Sequence, residues 1–414
     1  MHVRCVLRGP TTPRRVMQNS GSKPTPWRRL TLAVAAVMAA AAPGLAVPGT
    51  AHAQQQSAPA TRPGGLISAE PSLFRVMPGI PTPTSAWKVL YRSTDANGNP
   101  DEVSGTVIVP DDGRSGTRPL LTYAVGTVGI ADQCAPSANF PKGTSIEASE
   151  INAALQRGWA VAVTDYQGLG TPGDHTYLVG RPEGTAVLDA ARAAQRLPEA
   201  QRAGVTTDSP VAVMGYSQGG HASAWAAELA RTYAPDLHIK GIASGGVPAD
   251  ELKSAQAGGG VVGLQLMVAI GHDAAYPELN LDSYLNDEGR AVVTKLRGGC
   301  VLDDALATFG KSLDELTVRN PIEAPDWQKR LAADKLGTRA PGYPVYLYHG
   351  TADEIVSYDL GQQLRSDWCS RGNVVQWQPI PLANHAAGAV AGATPAMDWL
   401  AARIAGQPTQ GNCD

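Results

Sequence analysis

Five short apolar runs, PLLTYAVGT, GWAVAVTDY, PVAVMGYS, IKGIASGGV and YPVYLYHG, recur between residues 119 and 350. Each is the length of one buried strand, bounded by Gly or Pro, and too short for a core helix. Helix-patterned segments such as IEASEINAALQRG and GTAVLDAARAAQRL separate several of them. A strand that is apolar along its whole length needs cover on both faces. The alternation therefore predicts an α/β architecture with a mostly parallel sheet between helices. Ahead of it, AWKVLYRSTDANGNPDEVSGTVIVP predicts a hairpin, because the Asn-Gly in DANGNPDE is a strong turn signal between two β-rich runs.

One connection breaks the rhythm. Between GGVPAD, ending at Asp250, and the run at Tyr343 the chain holds helix-like pieces (DELKSAQ, GRAVVTKLRG, DDALATFGKSLDELTVR) and no convincing strand. A structureless loop of that length is foreign to compact domains. Residues 251–341 are therefore read as a helical lid over the carboxyl end of the sheet, where open α/β sheets bind ligands. A purely structural subdomain is the alternative. The core is divided accordingly into 67–250 and 342–414.

The first 53 residues read as a signal peptide. Seven basic and no acidic residues stand there, Arg28–Arg29 precede the 13-residue apolar run LTLAVAAVMAAAA, and AHA at 51–53 makes a small-x-small cleavage site. The run is too short to span a bilayer. A retained anchor is the alternative, and the Arg pair fits a twin-arginine route as well as the general one. No later stretch is long and apolar enough for a transmembrane segment, so the protein is expected to be secreted. Residues 54–66, rich in Gln, Pro and Gly, read as a flexible leader. Without residues 1–53 the chain carries 27 basic against 37 acidic residues, a net charge of −10, which speaks against nucleic acid as a partner. Four cysteines remain, Cys134, Cys300, Cys369 and Cys413. In an exported chain they predict two disulfides, for which three pairings are open. No CxxC or Cys/His spacing suits zinc.

The stretch GYSQGGHAS, 215–223, places one serine among glycines between a strand-like and a helix-like run. In a chain with 45 glycines G-x-S-x-G alone is weak. The strand before it and the helix after it supply the context of a nucleophile elbow. Ser217 is then the nucleophile, and it needs a base to take its proton. The order in such folds is Ser, acid, His. The only histidine beyond the run YPVYLYHG is His385, in PLANHAAG. HGTADEIV puts Asp353 at a strand end as the acid, with Glu354 the neighbouring alternative and Asp250 or Asp282 distant ones. His221 is expected to pack on the elbow helix, and His349 is the one other histidine expected to line the site. The oxyanion is expected to meet the N–H of Gln218 and a second donor from YAVGT, with Gly126 and Thr127 as candidates. Such an acyl-transfer site needs no metal or cofactor.

These residues resemble the secretory lipases of the lipase A type, within the α/β-hydrolases. The likeness runs through Tyr123 with Gly126–Thr127, CAPS, DYQGLG, HTYLVG, LDAARAAQ, GYSQGGHAS, GGVPAD and HGTADEIV, and covers roughly Ser72 to the C-terminus. It implies an α/β-hydrolase fold with a helical lid, a triacylglycerol lipase or broad carboxylesterase, and the triad Ser217, Asp353 and His385. It further implies the pairs Cys134–Cys300 and Cys369–Cys413, an ester or lipid substrate met at a lipid–water interface, and no protein partner. Two departures stand out. YAVGT lacks the Asp that some members carry in the oxyanion loop, and GGVPADEL carries an extra acid, Glu251. A short-chain or aromatic esterase, a peptidase, or an inactive binding protein on the same scaffold are the alternatives, because specificity lives in the pocket.

Overall fold

A computed structural model describes residues 61–256 and 261–413. The expected signal peptide and the first part of the leader lie outside these residues. Nine strands form one sheet: β1 (Leu66–Ser72), β2 (Thr84–Thr94), β3 (Pro100–Pro110), β4 (Leu120–Ala124), β5 (Ala160–Thr164), β6 (Val211–Tyr216), β7 (Ile239–Gly245), β8 (Val345–Gly350) and β9 (Val375–Ile380). Their order is β1-β2-β3-β5-β4-β6-β7-β8-β9. β1, β2, β3 and β5 pair antiparallel, and every pairing from β5 to β9 is parallel.

Burial follows pairing. Every residue of β4, β5, β6 and β8 is buried, whereas exposed and partly exposed positions run the length of β1. Each fully buried Val, Leu or Ile in those central strands contributes about 1.5–3 kcal/mol. The predicted hairpin is β2–β3, closed by Asp95, whose carboxylate accepts the N–H of Asn97 and Asn99 at 2.9 and 2.7 Å. The end of the leader needs correcting. Gly64 donates to the Arg92 carbonyl at 2.7 Å, and Leu66 already opens β1. Its Gly and Pro suggested a free tether, but they make the turn that lets β1 pair with β2.

The sheet creates a crevice by its connectivity. From β4 the chain moves to β5 on one side, and from β6 to β7 on the other. The carboxyl ends of β4 and β6 therefore lie side by side with no crossover filling the gap between them.

Between β7 and β8 the described residues form the helices Glu251–Gln256, Val262–Ala275, Asp287–Gly298, Val301–Thr308, Leu313–Leu316 and Pro325–Ala333. They bury a cluster of their own around Leu266, Ile270, Leu296 and Trp327. The segment DDALATFGKSLDELTVR does not run as one helix. Gly310 at φ 72° interrupts it, and a capping box between Ser312 and Glu315 starts the next. Cys134 is bonded to Cys300 across Cα atoms 5.5 Å apart, tying the loop after β4 to this helical layer. Cys369 is bonded to Cys413 and fastens the C-terminal tail. Among the described residues no helix is long and apolar enough to cross a membrane.

Candidate active site

Ser217 sits between β6 and the helix Gln218–Tyr233, with φ 59° and ψ −121°. A non-glycine residue held there stores about 1–3 kcal/mol of strain. The neighbours that permit it have no room for a side chain. A Cβ on Gly215 would lie 2.1 Å from the Gly219 carbonyl oxygen, and one on Gly219 would lie 2.0 Å from that of Ala124. The G-x-S-x-G spacing is thus a steric requirement of the turn. The Ser217 N–H is anchored on the Gly245 carbonyl at 2.9 Å.

From the far side of the sheet, the loops after β8 and β9 deliver two partners. Ser217 Oγ lies 2.9 Å from His385 Nε2, and His385 Nδ1 lies 2.8 Å from Asp353 Oδ2. His385 is the first residue of the C-terminal helix, whose cap Asn384 accepts the Ala387 N–H at 2.9 Å. The hydroxyl of Tyr216 donates to the His385 carbonyl at 2.8 Å, so the strand carrying the serine also positions the imidazole. Asp353 Oδ1 accepts the N–H groups of Ile355 and Val356 at 3.0 and 2.8 Å. Burial alone would raise the Asp353 carboxyl. Hydrogen bonds from His349 and His385, and the Val356 N–H, overcome this and hold it well below the usual carboxylate range. It stays ionised, with Oδ2 fully committed to the imidazoles.

The alternatives go elsewhere. Glu354 is exposed and accepts the backbone N–H of His385 at 3.0 Å, so it bears on the loop and not on the ring. Asp250 pairs with Lys335, and Asp282 is exposed on the helical layer. His349 does line the acid, with Nε2 3.3 Å from Asp353 Oδ2 and 2.9 Å from the Val356 carbonyl.

The Gln218 side chain is locked into a buried network. Its amide nitrogen reaches Glu183 Oε1 at 2.8 Å and His175 Nε2 at 2.9 Å. Glu183 Oε2 accepts from His221 Nδ1 at 2.8 Å, and Trp225 donates to His221 Nε2 at 3.1 Å. His175 donates from Nδ1 to the Gln167 carbonyl at 2.9 Å, and burial lowers its basicity, which keeps Nε2 free to accept. The network holds Gln218 while its backbone N–H, at the first turn of the helix, has no partner within it.

Of the two expected donors after β4, one must be withdrawn. The Gly126 N–H is spent on Glu147 Oε2 at 2.8 Å, a carboxyl that Tyr123 also reaches at 3.2 Å. The Thr127 N–H makes no hydrogen bond among the described residues, while its hydroxyl bonds Tyr177 at 2.7 Å. Sequence reading missed Glu147, Tyr216 and Glu183. Only Tyr216, next to the nucleophile, carried a positional hint.

A cavity opens from Ser217 toward the helical layer. Leu264, Val268, Ile322, Trp327 and Leu331 line it. The apolar residues at the start of the helix Val262–Ala275 and just before it divide. Val261 and Leu264 face the cavity, while Leu266 and Met267 are fully buried in the layer's own core.

The family model of the secretory lipases matches residues 137–412. A Mycobacterium tuberculosis protein named as a probable inactive lipase is 30% identical over 364 residues, covering 84% of this chain and 79% of that protein. Lipase 5 of Candida albicans is 29% identical over 353 residues, covering 80% and 74%. Among solved structures, Candida antarctica lipase A in its closed state aligns with a TM-score of 0.73 at 24% identity, over 84% of each chain. The last likeness confirms the α/β-hydrolase fold. The chain belongs to the secretory lipase family, a family of ester hydrolases built on that fold.

Proposed function

We propose that this protein is a secreted serine hydrolase that cleaves carboxylic esters, acylglycerols foremost, through Ser217, His385 and Asp353. One observation carries the reading: the unbroken chain from Ser217 Oγ to His385 Nε2 at 2.9 Å and from His385 Nδ1 to Asp353 at 2.8 Å. His385 takes the hydroxyl proton as Ser217 Oγ attacks the ester carbonyl. Asp353 holds the Nδ1–H tautomer and stabilises the imidazolium. The oxyanion is received by the N–H groups of Gln218 and Thr127, the former aided by the positive end of its helix. Collapse expels the alcohol, which takes the proton from His385, and leaves an acyl-enzyme. Water activated by the same base releases the acid.

The helical layer, residues 251–341, serves as the lid, with 67–250 and 342–414 as the two parts of the core. Its cavity is apolar, and Leu302, Leu306 and Phe309 are 77%, 78% and 87% exposed on and just beyond one helix of it. Such a face suits a lipid surface. Residues 1–53 are removed on export.

The test is a hydrolysis profile over p-nitrophenyl esters from acetyl to palmitoyl and an emulsified triglyceride, with Ser217→Ala as blank. Long-chain and emulsion activity, lost by a factor on the order of 10⁴–10⁶ in the blank, supports the lipase. Activity on short soluble esters alone removes the lipid and keeps the triad. The name of the Mycobacterium tuberculosis relative makes a second measurement worthwhile. Folded protein that takes no fluorophosphonate label at Ser217 is an inactive scaffold.

A further inference from the structure

The cavity beside Ser217 is apolar except at a few points, and most of these are satisfied. Tyr177 is bonded to Thr127, Gln218 to Glu183 and His175, and Ser254 to the Asp250 carbonyl. Two side chains on its wall are not. Glu251 lines the cavity, is 4% exposed and makes no side-chain hydrogen bond among the described residues, its Oε1 being closed off in the wall. The Gln265 amide lines the same cavity and makes no hydrogen bond among the described residues. The basic groups nearest Glu251 are already spent. His221 is filled by Glu183 and Trp225, and His272 by the Val268 carbonyl and Asp334.

A buried carboxyl with no protein partner is costly and calls for a partner from outside the chain, and a few polar groups in an apolar pocket are what orients a ligand there. Its protonation says which kind. Burial pushes Glu251 up to about 7; His221 and His272 pull it down, and Asp334 and Glu183 push it up again. Below that pH it is thus mostly a neutral group that both donates and accepts. That suits an uncharged hydroxyl better than an ammonium, which would call for an ionised partner.

We propose that Glu251 and Gln265 form a polar subsite in the acyl cavity that selects esters of hydroxylated acyl chains. The proposal rests on the reading of Ser217 as the nucleophile that opens onto this cavity. A hydroxyl along the chain satisfies Glu251, whereas an unsubstituted chain leaves it facing methylene groups. The subsite discriminates as sites built for a substrate hydroxyl do, by leaving its own polar groups unpaired when that hydroxyl is missing.

The experiment compares kcat/KM for p-nitrophenyl laurate with its α-, mid-chain and ω-hydroxylated forms, in the parent protein, Glu251→Gln and Glu251→Leu. At one hydroxyl position the parent should prefer the hydroxylated ester by about tenfold. Glu251→Gln, which keeps a donor and an acceptor, should retain most of that preference, and Glu251→Leu should reverse it. An equal ratio in all three proteins at every position overturns the proposal. So does a preference that follows a hydroxyl on the alcohol half of the ester. If Glu251→Leu does not fold, the parent ratio and Glu251→Gln decide. If the parent turns nothing over, the nucleophile reading has failed separately. Calorimetric binding of hydroxylated against plain laurate ester to Ser217→Ala then still tests the subsite: tighter binding of the hydroxylated ester supports it, and equal binding overturns it.

Discussion

The sheet edge and the helical layer face each other across one cavity, and they are built differently. Around Ser217 the backbone is held by strand pairing, and Gln218, Glu183, His221 and His175 are tied into one hydrogen-bonded network. The layer meets the sheet half through apolar side chains, a disulfide, a short bridge between Gly129 and Cys300, and scattered polar ties such as Arg297 to Asp174 and the Gly180 N–H to Asp334. Among the described residues it leaves Glu251 without a side-chain hydrogen bond and five large apolar residues exposed, Leu302, Leu306 and Phe309 among them. The lesson is a division of labour. On the proposed mechanism bond breaking needs atoms held to a few tenths of an ångström, and a strained turn on a fully buried strand is suited to that. Selection needs shape and a few free polar groups, which a separately packed layer can vary without disturbing the turn.

The largest expected effect lies wholly on the sheet side. Asp353→Asn should lower kcat by about 10⁴-fold with little change in Tm, because the imidazole would take the wrong tautomer. Glu354→Gln should cost under about tenfold. Comparable losses in the two variants, in single-turnover assays, would mean that the acid has been misassigned.

Severing the tie between the regions comes next. The disulfide Cys134–Cys300 closes a loop of 166 residues, worth about 5 kcal/mol on the chain-entropy account. The double Cys→Ser variant should melt the layer first. In thermal scans the loss should exceed that from opening Cys369–Cys413, which spans 44 residues and is worth about 4 kcal/mol. Equal losses would place the stabilising contacts outside the layer.

A third effect is read from pH. Glu251 has its carboxyl raised in the fold from an ordinary value near 4.5 to about 7. Between those values the folded state keeps a proton that the unfolded chain releases, so stability falls as pH rises through this window. The loss amounts to about 3 kcal/mol once pH passes 7. Denaturant unfolding at a series of pH values should show the slope, and Glu251→Gln should flatten it. An unchanged slope in the variant would exonerate the layer.

The smallest effect sharpens the boundary itself. Glu147 holds the Gly126 N–H and so sets the course of the loop that carries Thr127. Glu147→Ala should lower kcat about tenfold at nearly constant KM, the signature of a contact felt only in the transition state. Glu147→Gln should recover most of it.

How much of this was legible beforehand follows from the range of each interaction. The sheet was readable because fully buried strands leave apolar runs in the sequence, and the hairpin because Asn-Gly marks its turn. Ser217 was readable because the elbow's steric demands fall on residues two positions away on either side. Asp353 and His385 followed from chain order in such folds. Glu147 carried no such mark. It lies 21 residues beyond Gly126, and nothing local says that its carboxyl would take that N–H. The same holds for the pairing of Leu66 with Tyr91, which turned the end of a supposed tether into an edge strand. Periodicity, turn chemistry and glycine spacing are local constraints, and by themselves they marked the central strands, the hairpin and the elbow, while the acid and the histidine came from the chain order of such folds. Which donor stays free, which carboxyl lacks a partner and what the cavity presents were decided by the tertiary structure alone. A hydrogen bond is settled by positions in space, and those exist only once distant segments have packed.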